Sequence, residues 1–152
     1  MKRLSLIIFL AIILAMPGPG SFRSKTDFLA AGVAVNATVT KVNGTDFTSI
    51  PIDLTWPPGA PSVGSIVVTF TRAAGSASLV YFEFQASYDG GTTWTTSYWT
   101  RIEVPTNETA VANVVRAREP VELHGISHIR LFQIVNNDGA NNLTACNATF
   151  SY

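Results

Sequence analysis

From Val33 onward, the chain consists of short alternating or apolar runs separated by glycine, proline, asparagine and aspartate. Residues that alternate in character every two positions predict strands, because successive side chains of a strand point to opposite faces. No segment sustains the apolar spacing of a helix. The sequence therefore predicts an all-β chain, with candidate strands at 33–42, 46–54, 65–72, 78–87, 93–104, 109–116, 120–124, 127–135 and 143–152.

The number of these strands narrows the fold class. Eight or nine short strands joined by turns are typical of an antiparallel β-sandwich or jelly roll, whereas a parallel sheet would need crossover helices. Of the 152 residues, 47% are apolar and 13% are charged, which is enough apolar material for one core. We expect one β-sandwich domain over residues 33–152, within which 57–64 is a rigid connection.

Residues 1–20 differ from the rest of the chain. Lys2 and Arg3 precede an apolar run from Leu4 to Met16, and prolines and glycines follow it. This order is typical of a secretory signal peptide, and the run is short for a membrane span. Prolines crowd the expected cleavage site, so a retained membrane anchor is the alternative. We expect an exported protein, secreted or at a cell-envelope or virion surface, with residues 21–32 as a linker or short helical arm.

Charge and cysteine content exclude some classes of function. Ten basic residues balance ten acidic ones, and no basic cluster follows Lys2 and Arg3, so we expect no nucleic-acid surface. Cys146 is the only cysteine, so no intrachain disulfide can form. We expect Cys146 to be a small buried residue of the last strand, with a reactive thiol or an intermolecular bridge as the alternative. No pattern indicates a cofactor.

The stretch SYDGGTTW, residues 87–94, lies between two candidate strands. Each strand has one apolar face, formed by Val80, Phe82, Phe84 and Ala86 on the first and by Trp94, Tyr98, Ile102 and Val104 on the second. For both faces to point into the core, paired residues must have numbers of the same parity, which predicts a loop of three or five residues. Asp89 can accept backbone hydrogen bonds, and Gly90 and Gly91 can take positive φ. We therefore interpret the stretch as a bulged turn rather than part of an active site.

The turn carries a recognisable pattern. Ser87, Asp89, Gly91, Thr93 and Trp94 match Ser-x-Asp-x-Gly-x-Thr-Trp, so the stretch resembles the Asp-box hairpin of sialidase-like propellers. In that family the boxes repeat once per blade, away from a catalytic centre built from an arginine cluster, a tyrosine and acidic residues. This chain has one box, no arginine cluster and too few residues for a propeller. The resemblance implies a stable hairpin and argues against sialidase activity.

A second resemblance extends over residues 30–152. The order of FQASYDGGTTW, PVELHGISHIRLFQI, the polar turn NNDGANN and a last strand is similar to small β-sandwich modules of phage virions and of carbohydrate-binding or discoidin-like domains. In such modules a strand like HIRLFQI packs against the hairpin sheet. The resemblance implies a structural or binding role.

The outward faces of the two hairpin strands are polar apart from aromatic residues. They carry Tyr81, Glu83 and Gln85 on the first strand and Ser97, Trp99, Arg101 and Glu103 on the second. An exposed indole beside a tyrosine and hydrogen-bonding groups suits a stacked sugar or the centre of a protein contact. We therefore predict a candidate binding face formed by Tyr81, Glu83, Gln85, Trp99 and Arg101. The alternative is that another segment covers this face and makes Trp99 part of the core.

The residues that could support catalysis or hold a metal form no recognisable set. The glutamates have no spacing that indicates a carboxylate pair for glycoside hydrolysis. His124 and His128 flank a turn at Gly125 and lack a third ligand for zinc. The loop NNDGANN, residues 136–142, offers oxygen ligands for calcium, but only Asp138 carries charge, so we favour a tight turn. We predict no catalytic residues and no metal site.

These observations predict a non-catalytic, exported β-sandwich that acts as a structural or surface-recognition module in a larger assembly. Its partner is expected to be a protein, a second copy of the chain, or a glycan. A virion decoration or fibre protein is the first alternative and would form a stable oligomer. A carbohydrate-binding module is the second and would lose sugar binding on Trp99→Ala. Membrane contact is expected only through an uncleaved N-terminal segment.

Overall fold

The computed structural model describes residues 25–55, 62–72, 79–105 and 113–152. These ranges contain ten strands and no helix, and so no helix there could cross a membrane. The predicted signal or anchor at 1–20 lies outside the described residues, as do residues 21–24 of the predicted arm and 57–61 of the predicted connection. The all-β prediction is confirmed.

The strands form two antiparallel sheets. Their bounds are β1 Lys25–Asp27, β2 Val33–Val35, β3 Thr40–Val42, β4 Ile52–Asp53, β5 Val63–Arg72, β6 Leu79–Ser87, β7 Thr100–Pro105, β8 Asn113–Glu122, β9 His128–Asn136 and β10 Leu143–Ser151. Sheet I has the order β1-β10-β5-β8, with β2 also pairing with β10. Sheet II has the order β3-β9-β6-β7, with β4 also pairing with β9.

The order of strands is that of a jelly roll. If β1 and β2 are counted as one position, and β3 and β4 as another, each sheet has four positions. From β2 onward, the chain changes sheet at every connection except those from β3 to β4 and from β6 to β7. Eight positions wound between two sheets in this way form the double-sheet jelly roll. The predicted antiparallel sandwich is therefore confirmed.

The core lies between the two sheets. On β6, Val80, Phe82, Phe84 and Ala86 are fully buried, as the alternation of the sequence predicts. Phenylalanines from both sheets meet there: the ring centroids of Phe70 and Phe82 are 6.0 Å apart. Cys146 of β10 is also fully buried, and burial raises the pKa of its thiol to about 12. The prediction of a buried residue on the last strand is confirmed.

The predicted strand 33–42 is divided between the two sheets. Val33–Val35 pairs with β10 of sheet I, whereas Thr40–Val42 pairs with β9 of sheet II. Between them Thr38 has a φ of 58°, in the left-handed region that strands do not use. The predicted strand 46–54 is likewise reduced to Ile52–Asp53. The first prediction was too long because local alternation does not show where the chain leaves one sheet for the other, whereas in the second most of the segment connects β3 to β4 within sheet II.

Part of the predicted arm belongs to the domain. Lys25–Asp27 pairs with Ser151, Phe150 and Thr149 of β10. Phe28 follows directly and is fully buried, with its ring centroid 5.1 Å from that of Phe84 on sheet II. The described residues of this segment therefore contribute to the core rather than to a linker.

The predicted strands 109–116 and 120–124 are joined into one strand, which ends at Glu122, so Leu123 and His124 lie outside it. β8 runs from Asn113 to Glu122, and Pro120 lies inside it, opposite Ser65 of β5. A proline is tolerated there because β8 ends the order of sheet I, so its missing N–H can face away from β5. Residues 109–112 lie outside the described part of the chain.

The predicted strand 93–104 is correct only in its second half. β7 begins at Thr100, and residues 88–99 form a long connection rather than a turn of three or five residues. The predicted parity of the pairing is nevertheless confirmed, since Val80 pairs with Val104 and Phe82 with Ile102. Trp94 and Tyr98 were therefore wrongly assigned to the core face of this strand.

Candidate functional site

The stretch SYDGGTTW begins in the last residue of β6 and forms an ordered turn. The hydroxyl of Ser87 donates to Oδ1 of Asp89 at 2.8 Å and accepts the amide of Gly91 at 2.9 Å. The amide and hydroxyl of Thr93 donate to the two carboxylate oxygens of Asp89, at 2.9 and 2.6 Å. Gly90 and Gly91 both have positive φ, at 74° and 82°, as the sequence predicts. The turn is therefore held by hydrogen bonds between its own residues.

The carboxylate of Asp89 is the centre of this turn. The hydroxyl of Thr93, then its amide and then the hydroxyl of Ser87 stabilise the ionised form, which lowers the pKa of Asp89 from 3.8 to about 2. Asp89 itself is exposed, so hydrogen bonding rather than burial determines this shift. The charged carboxylate of Asp89 is consequently occupied by hydrogen bonds from residues of the turn itself.

A serine that directly precedes β9 attaches the turn to the sheet. The hydroxyl of Ser127 accepts the amide of Gly90 at 2.9 Å and donates to the carbonyl of Ser87 at 3.0 Å. The amide of Ser127 donates to the same carbonyl at 2.8 Å. These bonds connect residues far apart in the sequence and fix the position of the turn on sheet II.

Residues 88–99, which we call the aromatic loop, lie across the outer face of sheet II. The guanidinium carbon of Arg130 is 4.2 Å from the ring centroid of Trp94, and that of Arg101 is 4.4 Å from the ring of Tyr98. The amide of Thr95 donates to the carbonyl of Ala86 at 3.0 Å. Two stacked cations and backbone bonds therefore hold the loop against β6, β7 and β9.

A layer of polar side chains is enclosed beneath the loop. Glu83 is only 3% exposed and Gln85 only 5%, although both point away from the core. Glu83 accepts hydrogen bonds from Nε of Arg101, at 2.7 Å, and from the amide of Gln133. Gln85 accepts two from Arg130 and donates one to the carbonyl of Thr95, at 2.7 Å. Each buried polar group is thereby satisfied, as burial requires.

The residues of the predicted binding face therefore lie at different depths. Glu83 and Gln85 lie beneath the aromatic loop and support it from below. Trp99 is half-buried and packs against the core. Tyr81 is half-buried under the guanidinium of Arg101, whose carbon is 4.7 Å from the ring centroid. Of the five, Tyr81, Trp99 and Arg101 reach the surface in part.

Two tyrosines that sequence reasoning did not select are more exposed than these. Tyr88 is 61% exposed at the tip of the turn, and Tyr98 is 42% exposed where it stacks on Arg101. The missed signal is the composition of TTWTTSYW, which combines threonine and serine with aromatic residues and lacks aliphatic ones. This composition is as typical of a binding loop as it is of a strand.

Possible metal and catalytic groups are dispersed over the described residues. No three histidine, cysteine, aspartate or glutamate side chains there are grouped to hold a metal ion. His128 of β9 has Nε2 3.8 Å from Oδ1 of Asp53, whereas His124 is exposed in the preceding turn. In the loop 136–142, the carboxylate of Asp138 accepts the amides of Ala140 and Asn141 at 2.9 and 3.0 Å. That carboxylate organises the loop.

Compared with the models of known protein families and with curated proteins, the chain matches none of them. The aromatic loop and the polar layer beneath it are therefore the features from which a function can be inferred. They combine exposed aromatic rings, a fixed backbone and enclosed charges.

Proposed function

We propose that this chain is a non-catalytic β-sandwich module that acts by surface contact within a larger assembly. The aromatic loop is its recognition surface, and the partner that we propose first is a second copy of the chain. The observation that carries the proposal is the stack of Tyr98, Arg101 and Tyr81, which is anchored on the buried carboxylate of Glu83.

A rigid aromatic loop favours binding because little conformational freedom remains to be lost when a partner docks. The backbone of the turn is fixed by Asp89 and Ser127, and the Tyr98 ring is fixed by Arg101. Tyrosine and tryptophan offer large contact areas with few rotatable bonds, and they are enriched among residues that dominate binding energy. Tyr88 and Tyr98 therefore suit the centre of a contact.

The charge of the loop limits the class of partner. Asp89 is the only charged residue between 88 and 99, and its carboxylate is satisfied within the turn. A surface with little free charge provides no attraction for the phosphates of a nucleic acid. It suits a protein surface or a neutral glycan.

Export is part of the proposal. The basic start and apolar run of residues 1–20 support it, since their order is that of a secretory signal. The proposed location is outside the cell, at a cell envelope or at a virion surface. In the last setting the chain would act as a decoration or fibre protein, and an oligomer would be its working form.

The test measures the mass of the protein in solution by light scattering over a range of concentrations. We expect a defined oligomer that dissociates in Tyr98→Ala, whereas Tyr98→Phe keeps the ring and remains assembled. Val114→Thr is the matched control, because Val114 is an exposed apolar residue on β8 of the opposite sheet. A monomer at every concentration, or an oligomer indifferent to Tyr98→Ala, would contradict assembly through the loop.

A carbohydrate-binding module is the second candidate. It is favoured by the exposed ring of Tyr98, which has the polar groups of Arg101 and Glu103 beside it. An aromatic plate flanked by fixed hydrogen-bonding groups suits the apolar face of a sugar. This candidate predicts a monomer that binds neutral oligosaccharides on a glycan array and loses that binding in Tyr98→Ala.

A further inference from the structure

A shallow cleft of about 440 Å³ opens where β5 begins and where β8 and β10 end. The sheet register brings Pro120 of β8, Ser65 of β5 and Ser151 of β10 side by side in one row. These three residues line the cleft together with Val63, Arg118 and Tyr152. All the strands concerned belong to sheet I, so the cleft is separate from the aromatic loop on sheet II.

Arg118 is the charged group of this cleft. Its Nε donates a hydrogen bond of 2.6 Å to the hydroxyl of Ser65, which is buried. This bond orients the planar guanidinium, which has further N–H donors on its two Nη atoms. Among the described residues, none accepts a hydrogen bond from those Nη atoms or forms an ion pair with them. Arg101 and Arg130, by contrast, are engaged by Glu83 and Gln85.

An oriented guanidinium with free Nη donors suits an oxyanion that accepts two parallel hydrogen bonds. Arg118 carries the one charged side chain of the lining, and Glu122 lies close by, on β8 opposite Val63. A single cation with a carboxylate nearby favours a ligand with one negative charge, because Glu122 repels a second charge. A carboxylate therefore fits this site better than a phosphate dianion.

The other residues of the lining indicate which chemical group the ligand carries besides its carboxylate. Val63 is 54% exposed and Pro120 is also exposed, so both offer apolar surface beside the cation. Ser151 adds a hydroxyl group at the other side of the row, next to Tyr152, whose ring packs against Phe150. We propose that this cleft is a second binding site, in which Arg118 anchors the carboxylate of a ligand that carries an apolar group.

The test uses two probes that differ only at the acidic group, N-acetyl-leucine and its amide. Backbone amide shifts of the full chain are followed by NMR as each probe is added. We expect the acid to shift amides around Ser65, Pro120 and Ser151, and we expect the amide to leave them unchanged. Arg118→Gln should weaken binding of the acid roughly tenfold or more, because a charge-assisted pair of hydrogen bonds is lost.

Arg116→Gln is the matched control. Arg116 is exposed on β8 and has the same orientation as Arg118, but it is not part of the cleft lining. Equal loss of binding in both variants would show a general effect of positive charge and would overturn the proposal. Equal shifts with the acid and the amide, or no shift near the cleft with the acid, would also overturn it.

The source of the carboxylate is distinguished by two peptides. One ends in leucine with a free carboxylate, and the other has an amidated end and a glutamate beside an internal leucine. Stronger binding of the first supports recognition of a chain end, and stronger binding of the second supports recognition of an acidic side chain. If neither binds while N-acetyl-leucine does, the ligand class is a small free acid, and the site itself stands.

Discussion

Arg130 of β9 lies over the indole ring of Trp94, with its guanidinium carbon 4.2 Å from the ring centroid. The same guanidinium donates two hydrogen bonds to Oε1 of Gln85, at 3.0 and 2.7 Å. Gln85 in turn donates to the carbonyl of Thr95 in the aromatic loop. Arg130 therefore connects the loop to sheet II both through a ring and through a buried amide.

Replacement of Trp94 by leucine should loosen the aromatic loop. The loss of the cation–π contact lowers the free energy of unfolding by about 1 kcal/mol. Hydrogen exchange of the Thr95 amide should accelerate, because the loop opens without unfolding of the sheet. Trp94→Phe keeps an aromatic ring over Arg130 and should show a smaller effect in urea unfolding. Equal exchange rates in wild type and Trp94→Leu would contradict the clamping role of this contact.

The turn should lose stability in acid through Asp89. The pKa of Asp89 is lowered from 3.8 to about 2 in the folded protein. Ionised Asp89 therefore stabilises the fold fully at any pH above the pKa that the residue has in the unfolded chain. That contribution falls as the pH drops below about 4 and is lost near pH 2. The urea midpoints of wild type and Asp89→Asn, measured from pH 6 to pH 2, should therefore converge as the pH falls. A constant difference between the two proteins over this range would count against the assignment.

Arg101 forms ion pairs with two glutamates, Glu83 and Glu103, and the effects of replacing each can be compared. Glu83 is buried and holds Arg101 and Gln133, whereas the side chain of Glu103 is 54% exposed and lies 3.6 Å from Arg101. Glu83→Ala should destabilise the protein by about 1–3 kcal/mol, because the half-buried donors of Arg101 and Gln133 lose their buried acceptor. Glu103→Ala should cost under about 1 kcal/mol, as exposed pairs usually do. Urea unfolding of both variants tests this, and similar losses would contradict it.

Gly64 should not tolerate a side chain. A Cβ at this position of β5 would overlap the ring of Phe150, which is fully buried in the core. Gly64→Ala should therefore lower the free energy of unfolding by about 1–3 kcal/mol, as overpacking of a core does. Gly139→Ala is the control, because an added Cβ there meets no atom within 4 Å. Thermal unfolding should show a lowered midpoint for the first variant and little change for the second.

The sequence was sufficient for features that depend on local alternation. Val80, Phe82 and Phe84 show which face of β6 is buried, and the predicted equal parity of paired residues is confirmed by Val104 and Ile102, although the predicted loop length was wrong. The two glycines of the turn take the positive φ that their lack of a side chain allows. The binding role assigned to Tyr81, Trp99 and Arg101 stays a prediction.

The length of the loop after the turn was not predictable in the same way. Threonine, tryptophan and tyrosine have high strand propensity, so residues 93–99 read as a continuation of β7. In the structure Trp94 and Tyr98 are instead held by Arg130 and Arg101. Arg130 belongs to a strand distant in the sequence, and no local pattern reveals that contact.

The sequence by itself determined an antiparallel β chain with an apolar core and a turn organised by Asp89, because strand alternation and turn chemistry act over a few residues. Only the tertiary structure decided that Glu83 and Gln85 are enclosed and that Tyr88 and Tyr98 are displayed. It also placed Arg118 over Ser65 at the cleft of sheet I. These outcomes depend on which strands become neighbours, and that depends on the packing of the whole sandwich rather than on local propensity.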